Sequence, residues 1–190
     1  MDIKKISDEQ LAEEVRSKNK ELFAEIVSRY QNKIYSYTRR LVNDGEEAED
    51  LTQDVFIKVY KNLNGFDVKR KFSSWIYRIA HNESVNFIKK KSYFKILSIE
   101  QNEFLKNTMA TTENLIEKII EKENSQKVRE LLGKLSFRYK EILVLRYFEE
   151  KTYEEISDIL RMPTNTVGTL INRAKGQLEK MAREEKLEFG

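Results

Sequence analysis

Cysteine is absent from the 190 residues, and proline occurs once, at Pro163. Without thiols the chain can form no disulfide framework, thiolate zinc site or iron–sulfur cluster. That composition suits a reducing compartment. Glycine is sparse as well, at six residues, whereas Asp, Glu, Lys and Arg make up 35% of the chain. Proline and glycine are the main helix breakers and the straight-chain charged residues are good formers, so an all-α protein is predicted. Long apolar runs are missing too. The longest strictly aliphatic stretch, Ile142–Leu145, is far short of a bilayer span. The opening MDIKKISDEQ lacks the apolar core of a secretory signal, so a cytoplasmic protein without membrane insertion is expected. The sequence also lacks a G-x-x-x-x-G-K-[ST] loop, an H-E-x-x-H pair and any nucleophilic thiol. No enzyme, cofactor or metal is expected on those grounds.

What is present is helical periodicity. Leu22, Phe23, Ile26, Val27, Tyr30, Ile34, Leu41 and Val42 predict one amphipathic helix over residues 20–43. Asn43-Asp44-Gly45 supplies a turn, and a second helix follows over Glu46–Leu63 with Ala48, Leu51, Val55, Val59 and Leu63 as its buried stripe. Asn64-Gly65 ends it. Trp75, Ile76, Ile79, Ala80, Val85, Phe87 and Ile88 mark a third helix from Phe72 to about Lys90, and a short one opens the chain near Ser7–Ser17. The pattern fails from Ser92 to Thr112, which reads as a flexible linker. It resumes at Glu113, through Leu115, Ile119, Val128, Leu131 and Leu132, and a helix over Ser136–Phe148 precedes two more. The expectation is two small helical domains, 1–91 and 113–190, joined by residues 92–112.

The charge is small overall, a net +3, but it is arranged in blocks. Residues 41–57 hold six carboxylates (Asp44, Glu46, Glu47, Glu49, Asp50, Asp54) and no cation. Residues 58–91 hold nine cations against Asp67 and Glu83. Two solvated faces would account for this. So would two partner surfaces, one meeting a basic protein patch and the other nucleic acid. The acidic block can in principle hold Mg2+, although a solvated or partner-binding face is the simpler use.

KTYEEISDILRMPTNTVGTLINRAKGQL, Lys151–Leu178, has the form of a helix-turn-helix. Thr152 and Glu155 match a capping box. Pro163 stops the first helix, and Thr164 is placed to cap the second. Val167, Ile171, Ala174 and Leu178 recur as a buried stripe, which leaves Asn165, Thr166, Thr169, Asn172 and Arg173 outward. In such motifs the start of the second helix meets base edges in the major groove. Asn can pair bidentately with adenine, and Thr offers a hydroxyl and a methyl. A helical hairpin with a polar solvent face would share the pattern. Pro163–Leu170 contains no Lys or Arg, yet phosphate contacts usually dominate DNA affinity. The motif needs a second anchor.

AEDLTQDVFIKVYKNLNGF (Ala48–Phe66) with FSSWIYRIAHNESVNFIKKK (Phe72–Lys91) resembles the N-terminal promoter-binding domain of extracytoplasmic-function (ECF) sigma factors, whose pattern there is A-E-D-L-x-Q-x-x-F followed by F-x-x-W-L-Y-x-I-A-x-N. YEEISDILRMPTNTVGTLINRAKGQL is similar to that family's second domain, and order and spacing agree over nearly the whole chain. A free-standing helix-turn-helix regulator would explain Lys151–Leu178 but leave Ala48–Lys91 unused. The resemblance implies a factor that binds core RNA polymerase, directs it to promoter DNA and helps open the −10 region. It further implies that Glu47, Asp50, Gln53 and Asp54 dock on the clamp helices of the largest polymerase subunit. Asn64, Phe66, Lys69, Arg70, Lys71 and Phe72 would surround a base flipped from the −10 element, with His81, Asn82, Lys89, Lys90 and Lys91 along the following helix. Thr164, Asn165, Thr166, Thr169, Asn172 and Arg173 would read the −35 element. Trp75 is expected in the core. Many relatives are held inactive by an anti-sigma factor, which is expected here as a further partner. One departure concerns the recognition helix, where the family's P-x-G-T-V-K-S-R stands as PTNTVGTL, so Gly168 and Leu170 replace cations.

Overall fold

A computed structural model describes residues 3–17, 19–93 and 126–185. The chain divides into an N-terminal and a C-terminal compact unit, and every regular element among the described residues is helical. The proposed linker and the periodic stretch from Glu113 to residue 125 lie outside those residues, except that Ser92 and Tyr93 close a helix.

The N-terminal unit contains α1 (Asp8–Ser17), α2 (Phe23–Val42), α3 (Gly45–Asn62) and α4 (Phe72–Tyr93). A 3-10 turn at Lys20–Leu22 leads into α2 and another at Leu63–Gly65 follows α3. The boundaries follow local chemistry. Asn43 ends α2 in the left-handed region at φ 60°, where Asn is better tolerated than most residues, and its N–H bonds the Arg39 carbonyl at 3.0 Å. Asp44 then caps α3, accepting from the Glu47 N–H at 3.0 Å.

α2, α3 and α4 pack against one another, with α1 laid across α2 and α4. Their shared core includes Leu11, Ile26, Ile34, Leu41, Ala48, Val55, Val59, Ile76 and Ala80, all buried. Each fully buried side chain of the size of Ile contributes about 2 kcal/mol. Tyr37 and Tyr77 meet edge to face at 5.3 Å between ring centroids. A polar seam in this core is satisfied: Thr38 and Thr52 bond each other at 3.1 Å, and Thr52 also donates to the Ala48 carbonyl at 2.7 Å.

Asp8 fastens α1 to α2. It accepts from Arg29 at 2.8 Å and from the Tyr30 hydroxyl at 2.5 Å, while Arg29 also donates to the Ile6 and Ile3 carbonyls. Burial and then the bond to Asp8 raise the Tyr30 hydroxyl well above the ordinary tyrosine range, which keeps it a donor.

The C-terminal unit contains α5 (Gln126–Lys134), α6 (Phe137–Leu143), α7 (Tyr153–Leu160) and α8 (Thr164–Glu184). α6 continues as a π turn over Val144–Phe148, closed by the Glu149 N–H on the Val144 carbonyl at 3.0 Å. α5 and α6 both pack on α8, around Val128, Leu131, Ile142, Leu145, Ile156, Ile159 and the α8 stripe Val167, Ile171, Ala174 and Leu178. Thr152 and Glu155 form the expected reciprocal capping box, at 3.2 and 3.0 Å.

The turn falls where expected, and one detail of it is corrected. α7 ends at Leu160, where Arg161 adopts a left-handed conformation at φ 52° and Ser157 binds the Met162 N–H and carbonyl. Thr164 is the first residue of α8 and not its cap; the Pro163 carbonyl takes the Thr166 and Val167 N–H groups.

Candidate functional site

On α3 the stripe Ala48, Leu51, Val55 and Val59 faces the core, so the opposite face is free of packing duty. Asp50, Gln53 and Asp54 are exposed there. Glu47, one turn earlier, is half-buried, because both its oxygens accept from the Lys91 ammonium at 2.6 and 2.9 Å. Lys58 and Glu83 make a second α3–α4 bridge at 2.6 Å. The acidic and basic blocks are thus not wholly separate surfaces. Glu47 and Lys91, expected to serve different partners, are paired with each other.

Sequence reasoning passed over two neighbours on this face. Ile57 and Tyr60 are 49% and 44% exposed, the large apolar side chains most open to solvent among the described residues. Ile57 lies seven residues beyond Asp50, close to two helical turns, so it falls on the same face. Its position off the Leu51–Val55–Val59 stripe was the available signal. Phe23 on α2 packs edge-on to Tyr60, with centroids 5.0 Å apart. The result is an apolar patch rimmed by carboxylates, an anatomy that suits a protein partner.

Between α3 and α4 the chain runs through a short loop. Asn64, Lys69, Arg70 and Lys71 are exposed on it. Asp67 shapes its tip, its carboxylate accepting from the Lys69 N–H at 3.0 Å and its carbonyl from the Arg70 N–H at 2.9 Å. Phe66 and Phe72, expected to meet a base, are buried at 3% and 0% exposure. They lie edge to face at 5.2 Å, and Trp75 covers them at 5.0 and 5.5 Å. Trp75, expected in the core, is half-buried, while the two phenylalanines form a floor with no open ring face. Further along α4, Asn82, Lys89, Lys90 and Lys91 are exposed and His81 is half-buried. Among the described residues no three carboxylates or histidines gather closely enough to hold a metal ion.

In the C-terminal unit the start of α8 exposes Asn165, Thr169, Asn172 and Arg173, whose spacing places them on one face. Thr164 and Thr166 are half-buried beside them. The Thr169 hydroxyl donates to the Asn165 carbonyl at 2.9 Å, so it can meet a base only as an acceptor or through its methyl. Leu170 is buried. A Cβ on Gly168 would sit 3.4 Å from the Tyr153 ring, so α7 and α8 approach closely there. Arg146 lies over the other part of this corner, 5.4 Å from the Tyr153 centroid, and donates to the Lys151 carbonyl at 3.1 Å.

Residues 26–93 match the family model for sigma-70 region 2, and residues 125–178 match that for sigma-70 region 4. The chain belongs to the ECF sigma factors. It is 33% identical over 184 residues to the ECF RNA polymerase sigma factor SigW of Bacillus subtilis (strain 168), covering 90% of this chain and 94% of that one. It is 30% identical over 183 residues to the ECF RNA polymerase sigma-E factor of Escherichia coli (strain K12), covering 92% and 93%. A solved structure of CnrH in complex with the cytosolic domain of CnrY has the same fold, with a TM-score of 0.69, 21% identity and coverage of 94% and 99%. So does RpoE of Bartonella quintana, solved in complex with the anti-sigma factor NepR, with a TM-score of 0.63, 17% identity and coverage of 85% and 96%. As a sigma factor the chain is a non-catalytic initiation factor that works through core RNA polymerase at promoters. Among its described residues no helix is long and apolar enough to cross a membrane.

Proposed function

We propose that this ECF sigma factor divides promoter recognition between its two units and docks on polymerase through α3. The observation that carries the reading is the separation of chemistry within the N-terminal unit. Asp50, Gln53 and Asp54 are exposed around Ile57 on α3, whereas the loop after it exposes Lys69, Arg70 and Lys71. Carboxylates around an apolar centre suit an arginine-bearing protein surface, here the clamp helices of the largest polymerase subunit. Three consecutive cations suit DNA that is being opened, since extruding a base costs a few kcal/mol that charge and a shaped loop can offset. Asn64 and the loop read the −10 element, with Asn82 and Lys89–Lys91 beyond it. Asn165, Thr166, Thr169, Asn172 and Arg173 read the −35 element, with Thr164 and the first turn of α8 against the backbone. The factor acts in the cytoplasm, catalyses no reaction itself, and is held in check by an anti-sigma factor over the same surfaces.

Transcription from a pool of randomised promoters, using this factor and its cognate core polymerase, tests the division. Enriched templates should share two elements at a fixed spacing. Asn165→Ala should change preference at one upstream position, by roughly 1–3 kcal/mol if it pairs with a base, and leave the downstream element alone. A change confined to the downstream element would reverse the assignment.

A further inference from the structure

We propose that α1 braces the Asn64–Lys71 loop, with Glu9 and Arg16 as positioning residues that set the shape in which the loop meets the −10 element. The inference rests on the reading of that loop as the −10 reader.

The starting point is an unmet need at the head of α4. The first N–H groups of a helix have no intrahelical partner and usually find a Ser, Thr, Asp or Asn just before the helix. Here the preceding residues are Lys69-Arg70-Lys71, and none of their side chains can accept. The acceptor comes instead from 63 residues away. Glu9 Oε1 takes the Phe72 N–H at 2.9 Å. A carboxylate is also favoured there by the positive end of the helix dipole.

Arg16 holds the other end of the loop. Its Nη1 donates to the Phe66 carbonyl at 3.3 Å in a partly buried position. Glu9 and Arg16 are seven residues apart on α1, two turns along one face. One helix therefore grips the loop at Phe66 and at Phe72, the two residues whose rings form the aromatic floor. α1 is itself fixed: Asp8, next to Glu9, bonds Arg29 and Tyr30 on α2, and the Tyr30 ring packs edge-on to Phe72 at 5.5 Å. Between the gripped ends Asp67 organises the tip. α1 thus holds both ends of the segment that carries Lys69, Arg70 and Lys71.

Electrostatics give the inference a sign that a direct DNA contact would not share. Glu9 is an anion close to a DNA-facing loop, so removing its charge should strengthen DNA binding uniformly if charge were its only role. A positioning role predicts weaker discrimination between bases instead. Glu9→Gln keeps a carbonyl acceptor for the Phe72 N–H without the charge; Glu9→Leu removes both.

The test uses holoenzyme assembled from the full chain and cognate core polymerase, on promoters randomised across the −10 element, with amide exchange measured by NMR on the full chain. Glu9→Leu should speed exchange of the Phe72 amide at least tenfold and flatten −10 base preference at least fivefold. Core affinity, melting behaviour and −35 preference should be retained, and Glu9→Gln should restore most of the loss. Arg16→Met should flatten the same preference from the other end. Unchanged Phe72 exchange in Glu9→Leu, or Glu9→Gln behaving like Glu9→Leu, overturns the brace. Asn64→Ala separates the two layers. If it shifts −10 preference and Glu9→Leu does not, the loop reads DNA without the brace. If neither does, the loop is not the reader and both assignments fall.

Discussion

Asp50 and Glu47 are one helical turn apart on α3, yet their surroundings differ. Glu47 already gives both oxygens to Lys91, whereas Asp50 stands exposed with Gln53, Asp54 and Ile57 around it. An exposed position makes charge reversal tolerable to the fold, because solvent screens the new cation and no packing is disturbed. At a docked surface the same reversal places like charges together, and truncating one partner of such a pair already costs about 2 kcal/mol or more. Asp50→Arg is therefore expected to weaken binding to core polymerase at least tenfold, with an unchanged melting curve. Glu47→Ala should cost less, since the polymerase must compete with Lys91 for that carboxylate. A titration of labelled sigma factor with core enzyme measures both. Unchanged affinity for Asp50→Arg would remove the dock from this face.

Elements show which parts of the fold their own sequence determines. Helix ends with a local cause were legible: the Asn43–Asp44 exchange of caps and the Thr152–Glu155 box involve partners at most four residues apart. Buried stripes were legible for the same reason, as with Val167, Ile171, Ala174 and Leu178. The box should be worth about 1 kcal/mol. Thr152→Ala should then speed amide exchange along α7 about fivefold, the equivalent of that energy. No change would mean that packing on α8 holds the first turn without its cap. What escaped the sequence was decided by distant partners. The start of α4 at Phe72 was legible, but the Glu9 carboxylate that accepts its first N–H was not, and Phe66 and Phe72 are buried because Tyr30 and Trp75 close over them. Periodicity gives the face of a helix; it does not state what lies against a loop. The Glu47–Lys91 pair escaped similarly, since charge blocks read along the chain cannot reveal which members meet across 44 residues.

For the whole molecule, the determining fact is how little charge the first two turns of α8 carry. Pro163–Leu170 contains no Lys or Arg, and Leu170 is buried in the unit's own core. Weak phosphate contact means weak binding alone. A second site on the same chain changes this, because once one element is engaged the other binds at a high effective concentration, provided the geometry lets both engage together. The order of regions 2 and 4 along one chain supplies that linkage. It also makes the factor sensitive to the distance between promoter elements. Inserting about five base pairs, close to half a helical turn, rotates the −35 element to the opposite side of the duplex relative to the −10 element. Initiation by holoenzyme should fall at least tenfold, and adding about five more, which restores the helical phase but lengthens the reach, should recover little of it. A second measurement locates the cause: on the half-turn template, Asn165→Ala should no longer affect the rate, since the helix that carries it is disengaged. If Asn165→Ala still lowers initiation there, the C-terminal unit is reaching its element independently of spacing, and its affinity comes from its own contacts and not from the linkage.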